Sequence, residues 1–136
     1  MGNTDHLRTD MYSEELETMQ PTPAFDSAAF GDEISVLASD EVQIHVWGGD
    51  WCSDCRRQLP DFAAALQAAD ISPSRVHNHP VEKDAAWNKT GPLVDRYNIE
   101  YIPTVVVEQD GAELARFVES APVPIVVHLA EALREG

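Results

Sequence analysis

The sequence predicts an α/β domain in which helices flank both faces of a central mixed β-sheet. Short apolar runs, partly β-branched, alternate along the chain with longer segments whose apolar residues recur at helical spacing. Alternating strands and helices give parallel strand pairs, and the turn signal Asp110-Gly111 adds an antiparallel hairpin. A length of 136 residues fits one domain of this kind.

The N-terminal region is predicted to be a tail followed by a first helix. Residues 1–21 are polar and acidic, so we expect a tail, with a short helix around Ser13–Met19, ahead of a domain at residues 22–136. Thr22-Pro23 is typical of a helix start, because Thr caps a helix and Pro fits its first position. Gly31 would end this helix.

A strand and a long helix are predicted next. Val42–Trp47 favours a strand, and Gly48-Gly49 would break it. The helix is predicted from Cys52 to about Ala69, with a kink at Pro60. The remaining predicted elements are a strand at Arg75–Val81, a helix containing Leu93 and Val94 after Gly91-Pro92, strands at Thr104–Val107 and Leu114–Val118, and a closing helix at Pro124–Arg134.

The chain is strongly acidic. It has 24 Asp and Glu residues against 9 Lys and Arg, for a formal net charge of −15. Such a charge repels nucleic acid and anionic membranes, so we expect neither as a partner. An acidic surface coat is one adaptation to high salt, and we interpret the composition as halophile-like, from a salt-adapted cytoplasm.

Cysteine usage also indicates the cytoplasm. The chain has two cysteines, three positions apart, whereas a secreted disulfide scaffold would carry more of them, spread along the chain. A signal peptide would show as a basic N-terminal segment followed by an apolar run, and the sequence has no such pattern. No run approaches the roughly 20 apolar residues that span a bilayer. We therefore expect a cytoplasmic protein that acts as a monomer.

The pair Cys52 and Cys55, at a predicted helix start, carries the clearest chemical signal. Unpaired backbone N–H groups and the helix dipole favour the thiolate of the first cysteine, which is the form that attacks disulfides. Cys55 lies one turn further in, where it can attack the mixed disulfide formed at Cys52. Trp51 supplies a flat apolar platform for a partner chain. The pair predicts a thiol–disulfide oxidoreductase with Cys52 as nucleophile and Cys55 as resolving cysteine.

Two cysteines can also be half of a zinc site, which needs three or four ligands. His77 and His79 are the candidates to complete one. We expect these two histidines to point to opposite faces of their strand, which would keep them from sharing a metal. We therefore expect no metal, and surface or edge positions for both histidines, with a zinc module kept as an alternative.

The segment Trp51-Cys52-Ser53-Asp54-Cys55, with Pro60 five residues further on, resembles the active-site segment of the thioredoxin superfamily. The likeness continues at residues 97–107, which are similar to the family's cis-proline loop and the strand that follows it. Asp110-Gly111 matches the family's hairpin. Together these matches span about residues 42–134.

This resemblance implies the thioredoxin fold and the reduction of protein disulfides by a Cys52–Cys55 dithiol–disulfide cycle, with no cofactor besides that redox-active pair. It also implies that Pro103 is cis and that its loop lies against the cysteines, with the backbone of Ile102 open to an extended substrate strand. The implied substrate contacts are Trp51, Ile102, Pro103 and Thr104. The implied partners are disulfide-containing proteins and an electron-donating reductase.

Between the cysteines the sequence departs from the family. The familiar dipeptide is Gly-Pro, whereas this chain has Ser53-Asp54. A carboxylate beside Cys52 opposes formation of its thiolate. Arg56 and Arg57 follow at once and can offset this charge, so Asp54 and Arg56 are the expected tuning residues.

Two further positions depart from the family. Its members keep a buried Asp on the strand before the cysteines as a proton acceptor for the second one. Without a gap, Val46 matches that position. If Gly48-Gly49 contains one inserted residue, His45 matches it and becomes the candidate acceptor, while Trp47 takes the place of the family's buried Trp. Residues 119–122 stand where the family has a glycine after the last strand.

A second function is left open, which is a binding or adaptor module with the same fold and no turnover. The intact Cys52 and Cys55 pair argues against it, because an adaptor does not need both thiols.

Overall fold

The computed structural model describes residues 16–38, 41–83, 89–90, 93–119 and 123–135. Its strands are β1 (Gln43–Gly48), β2 (Val76–Pro80), β3 (Glu82–Lys83), β4 (Lys89–Thr90), β5 (Thr104–Gln109) and β6 (Ala112–Val118). Its α-helices are α1 (Gly31–Ala38), α2 (Ser53–Ala68) and α3 (Ile125–Glu135). Short 3-10 helices cover Glu17–Met19, Ser27–Phe30 and Pro73–Arg75.

A mixed four-stranded sheet forms the centre of the domain, in the order β2-β1-β5-β6. Strand β1 pairs in parallel with β2 and antiparallel with β5, and β5 pairs antiparallel with β6. The parallel pair follows from the crossover through α2, and the antiparallel pair from the tight turn at Asp110-Gly111. Both turn residues have positive φ, 55° and 82°, as a two-residue hairpin turn requires.

The two faces of β1 have different surroundings, because side chains alternate along a strand. Ile44, Val46 and Gly48 share one face, and His45 and Trp47 share the other. An added Cβ on Gly48 would lie 3.4 Å from the Sγ atom of Cys55 in α2, so the first face is turned toward α2. Ile44, Val46 and Trp47 are fully buried, so both faces of this central strand contribute to the core.

The predicted mixed sheet with flanking helices is confirmed, but the α-helices of the described residues cover one face of the sheet, whereas we predicted helices on both faces. The three α-helices contact one another, which places them in a single layer. On the other face of the sheet, among the described residues, the covering segment is a run of turns around Tyr97. The Tyr97 ring packs against Trp47 with 4.9 Å between ring centroids. The backbone carbonyl of Tyr97 accepts a 3.0 Å hydrogen bond from Nη1 of Arg116 in β6.

The N-terminal segment packs more closely than the sequence suggested. Leu16 precedes the 3-10 helix at Glu17–Met19 and Met19 ends it, and both side chains are fully buried in the core. The folded unit therefore already includes Leu16, whereas we predicted that residues up to 21 form a tail. Residues 1–15 of that predicted tail, which include the first three residues of the helix expected around Ser13–Met19, lie outside the described residues.

Two helix predictions were wrong. Gly31, expected to end the first helix, instead begins α1 with helical φ and ψ of −56° and −41°, and Ser27–Phe30 ahead of it is a 3-10 turn. Acidic residues in the first turn of α1 favour this start, because they face the positive end of the helix dipole. The helix expected around Leu93 is a series of turns, since Leu93 and Asn98 have positive φ of 61° and 57°, which an α-helix cannot accommodate. Gly91-Pro92 lies outside the described residues.

The predicted strands, the helix from Cys52 to about Ala69 and the closing helix at Pro124–Arg134 are confirmed with shifts of a residue or two at their ends. Pro60 lies within α2, which continues to Ala68. The β3–β4 ribbon was not predicted. No helix in the described part of the chain is long and apolar enough to cross a membrane.

Candidate active site

Cys52 is the residue immediately before α2, at its N-cap position. Its φ and ψ of −91° and 123° are extended, and its carbonyl accepts the first helical hydrogen bond from the N–H of Arg56 at 3.0 Å. The half-buried thiol therefore lies at the positive end of the helix dipole. This is the position that the sequence predicted for a nucleophilic cysteine.

Cys55 lies one turn further along α2 and is fully buried. Burial raises the pKa of its thiol above the ordinary value, and the neighbouring Cys52 thiol and the Asp54 carboxylate raise it further. The backbone N–H of Gly49, which points at the sulfur from 3.5 Å, acts in the opposite direction. Cys55 is therefore a protonated thiol at neutral pH until a reaction removes its proton.

Gly48 and Gly49, at the end of β1, lie where a side chain would collide with its neighbours. A Cβ on Gly48 would lie 2.9 Å from Cδ1 of Leu59, and one on Gly49 would lie 2.6 Å from Nε1 of Trp51. The Trp51 indole therefore lies directly over Gly49, and its Nε1–H donates a 2.8 Å hydrogen bond to the carbonyl of Val81 after β2. The bare backbone at Gly49 lets Trp51 lie flat beside the cysteines.

The Ile102–Pro103 peptide bond is cis, as the resemblance implied. The carbonyl of Ile102 lies 3.9 Å from Sγ of Cys52, so the loop faces the first cysteine. Thr104 is only 1% exposed, and its hydroxyl donates a 2.6 Å hydrogen bond to the carbonyl of Tyr101. Thr104 thus holds the loop in shape and does not offer its side chain to a substrate.

Of the expected substrate contacts, Trp51 is open to solvent, with 41% exposure. The side chains of Ile102 and Pro103 are buried, which leaves the backbone of this loop as the surface near Cys52. Sequence reasoning missed Tyr101, whose side chain is 51% exposed directly before Ile102. A large aromatic residue next to the Ile-Pro step was the available signal.

The charged residues after Cys52 separate into two pairs. Asp54 accepts a 2.9 Å bond from Nη2 of Arg57, and Arg56 instead donates from Nη1 to the carbonyl of Asp50 at 2.8 Å. Arg57, rather than the expected Arg56, is therefore the side chain that partners the Asp54 charge. Arg56 holds the loop that leads into Cys52.

Glu119 follows β6 directly, at the start of the segment that the resemblance aligns with the family's glycine. Its φ is +58°, a left-handed conformation that favours glycine. Its N–H donates to the carbonyl of Pro103 at 2.7 Å, and its own carbonyl accepts from Nε2 of Gln58 in α2 at 2.8 Å. Glu119 therefore ties the cis-proline loop to the cysteine-bearing helix.

The structure does not bring His45 to the cysteines. Its side chain lies on the sheet face opposite Cys55, and the residue on the same face as Cys55 is Val46. His45 Nε2 lies 3.3 Å from Oε1 of Glu108, and Nδ1 lies 3.0 Å from Nε2 of His79. Because a carboxylate only accepts hydrogen bonds, these distances place the proton of neutral His45 on Nε2, which donates to Glu108. Nδ1 of His45 then accepts a hydrogen bond from the Nε2–H of His79.

The prediction that His77 and His79 point to opposite faces was wrong. Residues two apart on a strand share a face, and both rings stack on His45, with centroids 4.8 and 5.2 Å away. His77 Nε2 lies 2.7 Å from the side-chain oxygen of Gln43, on the same face. Among the described residues, no group of three or more His, Cys, Asp or Glu side chains is arranged to hold a metal ion.

The sheet order, the cis proline and a Cys-x-x-Cys pair at the start of α2 define a thioredoxin-fold domain with a dithiol at its edge. No protein-family model and no curated protein sequence matches the chain.

Three solved structures illustrate what the fold is similar to. Mitochondrial thioredoxin 3 from Saccharomyces cerevisiae is 14% identical, with a TM-score of 0.48, over 79% of this chain and 90% of that one. A mutant thioredoxin from Halobacterium salinarum is 20% identical, with a TM-score of 0.47, over 74% and 79%. A thioredoxin-fold protein from Helicobacter pylori is 16% identical, with a TM-score of 0.41, over 71% and 75%. These likenesses are distant, and the sheet order and the site geometry carry the fold assignment.

Proposed function

We propose that this chain is a thiol–disulfide oxidoreductase that reduces protein disulfides through Cys52 and Cys55. One observation carries the proposal. A half-buried cysteine at a helix start lies one turn before a fully buried cysteine and faces the carbonyl before a cis proline. This geometry supports Cys52 as the attacking thiol at the surface and Cys55 as its resolving partner behind it.

The reaction begins with attack by the Cys52 thiolate on one sulfur of the substrate disulfide. A Cys52–substrate disulfide forms, the substrate S–S bond breaks, and the first substrate sulfur leaves as a thiolate. That thiolate takes the proton of Cys55, either directly or through solvent. The Cys55 thiolate then attacks Sγ of Cys52, and the second substrate sulfur leaves and is protonated by solvent.

This cycle oxidises the two cysteines to a disulfide and reduces the substrate to two thiols. An electron-donating reductase or a small dithiol must then return the pair to the reduced state. The direction depends on the redox poise of the compartment, and reduction fits the cytoplasmic setting that the composition favours.

Trapping of mixed disulfides tests the assigned roles. With Cys55→Ser, attack by Cys52 proceeds but resolution fails, so disulfide-linked partners accumulate. With Cys52→Ser, the buried Cys55 captures few of them. Equal trapping by both variants, or by neither, would contradict these roles.

Reduction of insulin by the wild-type chain, with dithiothreitol as the electron donor, separates the enzyme from the adaptor alternative. An enzyme precipitates insulin chains well above the dithiothreitol background, and the Cys52→Ser variant does not. Wild-type activity at background level would favour the adaptor.

A further inference from the structure

Residues 16–19, which we predicted to be part of the tail, pack beside the candidate active site. The Leu16 side chain is buried and reaches toward β1, where its Cδ1 lies 3.6 Å from the position of a Cβ on Gly48. The 3-10 helix at Glu17–Met19 packs against α2. The N-terminal segment therefore adjoins both the strand and the helix that flank the Gly48–Cys52 loop.

Asp50 joins this segment to the loop. Its Oδ1 accepts a 3.0 Å hydrogen bond from the N–H of Thr18, and Oδ2 accepts a 3.3 Å bond from the N–H of Glu17. Leu16, the residue that caps the 3-10 helix, has no side-chain cap bond of its own, so the distant Asp50 carboxylate supplies the cap. We call this arrangement of Asp50 with residues 16–19 the N-terminal clasp.

The loop held by the clasp is the one that presents Cys52. The carbonyl of Asp50 accepts from Arg56 at 2.8 Å, and the N–H of Cys52 donates to the carbonyl of Gly49 at 3.0 Å. The Trp51 indole is fixed separately to Val81. Asp50 is thus the residue of this loop whose side chain reaches the N-terminal segment.

A cleft of about 380 Å³ opens between the clasp and Trp51. Its apolar lining comes from four residues, which are Leu16, Trp51, Pro80 and Val81. Asp50 and Glu82 are its charged lining residues, and both are acidic. Trp51, the residue before Cys52, is one wall of the cleft. This shared wall links the cleft to the site at which a substrate disulfide would meet Cys52.

We propose that the N-terminal clasp shapes this cleft as a subsite for an apolar side chain of the substrate, with Asp50 as its positioning residue. The proposal rests on the proposed function, because it assigns the cleft to a substrate of Cys52. Apolar walls favour an aliphatic residue, and the two carboxylates disfavour an acidic one. Loss of the Asp50 carboxylate releases Leu16 and widens the cleft, so the preference for the apolar side chain is lost.

The test uses two synthetic peptide disulfides that are equal in charge and differ only in the residue beside the reactive cysteine, leucine or asparagine. The rate of mixed-disulfide formation is measured with the Cys55→Ser variant. This step needs Cys52 but does not need catalytic turnover. We expect a preference of about tenfold for the leucine peptide. The added Asp50→Ala substitution should reduce this preference to about threefold or less, while Asp61→Ala, an exposed aspartate on α2, should leave it unchanged.

Amide hydrogen exchange gives an independent measure of the clasp. Asp50→Ala should speed exchange both at residues 16–19 and at residues 49–52, since the carboxylate holds the two segments together. Faster exchange at residues 16–19 alone would reduce Asp50 to a simple helix cap and would overturn the positioning role. Asp61→Ala should change neither segment.

The outcomes separate the inference from the function on which it rests. A wild-type preference near one, or the same preference with and without Asp50→Ala, overturns the cleft while leaving the enzyme intact. A leucine preference in mixed-disulfide formation, without catalytic turnover of either peptide by the wild-type chain, contradicts the proposed reductase and supports the cleft. Failure of both peptides to react with Cys52 overturns both proposals.

Discussion

Lowering the pH should destabilise the fold through the histidine pair on the sheet face opposite the cysteines. Burial, together with the nearby His45 and His77, lowers the pKa of His79 from its ordinary 6.5 to about 4. Burial also lowers the pKa of His45, partly offset by the Glu108 carboxylate, while Arg96 acts in the same direction as burial. Protonation of His45 would place an N–H on Nδ1, directly against the His79 donor 3.0 Å away.

The sign and size of this effect follow from the pKa of His79 in the two states. Because the folded value lies below the unfolded one, the unfolded chain binds more protons between pH 6.5 and about pH 4. Stability is therefore fully present above pH 6.5, falls as the pH drops through this window, and levels off below it. A shift of this size corresponds to at most about 3.4 kcal/mol, and partial solvent exposure of His79 reduces the expected loss to about 1–2 kcal/mol.

Urea unfolding followed by circular dichroism at a series of pH values measures this loss. His79→Gln is the matched variant, because the glutamine amide can still donate to His45 but does not titrate. The difference in unfolding free energy between wild type and variant cancels the titration of the many carboxylates. If this difference does not change across the window, the assignment of the acid sensitivity to His79 is wrong.

Four other substitutions test single contacts. Gly49→Ala forces the Trp51 indole to move, so it should cost about 1–3 kcal/mol of stability in urea and slow insulin reduction; wild-type stability would show that the indole has room. Thr104→Val removes the hydroxyl bond behind the cis-proline loop and should cost about 1 kcal/mol, with faster amide exchange in that loop as the check. Glu119→Gly relieves a left-handed backbone and should raise unfolding free energy by about 0.5 kcal/mol, because relief exceeds the added chain entropy; a loss would contradict this. His45→Ala should leave the rate and pH profile of insulin reduction unchanged, and a shifted profile would return His45 to the active site.

The parts of the fold that the sequence predicted well are those whose signals are local. The short apolar runs of β1 and β5, helical spacing in α2, and the positive-φ turn at Asp110-Gly111 each depend on residues that are close in the chain. The failures at Gly31 and Leu93 have one cause. A glycine or a Gly-Pro step permits a boundary without requiring one, and the backbone conformation there is decided by what packs around it.

The candidate site shows the same division. The positions of Cys52, Cys55 and Pro103 could be predicted, because a helix start, one helical turn and an Ile-Pro step are set by short spacings. The contact of Asp50 with Thr18 joins residues 32 positions apart, and no local pattern in the sequence indicates it. Segments that build a site through such distant contacts are therefore easily mistaken for tails.

The choice between His45 and Val46 shows why spacing alone could not place the proton acceptor. A shift of one residue moves every side chain of a strand to the opposite face, so one assumed insertion exchanges a buried valine for a titratable histidine. The structure places Val46 on the face of Cys55 and gives His45 to Glu108 and His79. The buried Cys55 thiol then has an apolar residue where the family has a carboxylate. In the proposed reaction the Cys55 proton passes to the departing substrate sulfur, directly or through solvent. We therefore expect resolution of the mixed disulfide to be the step most sensitive to how the substrate is held.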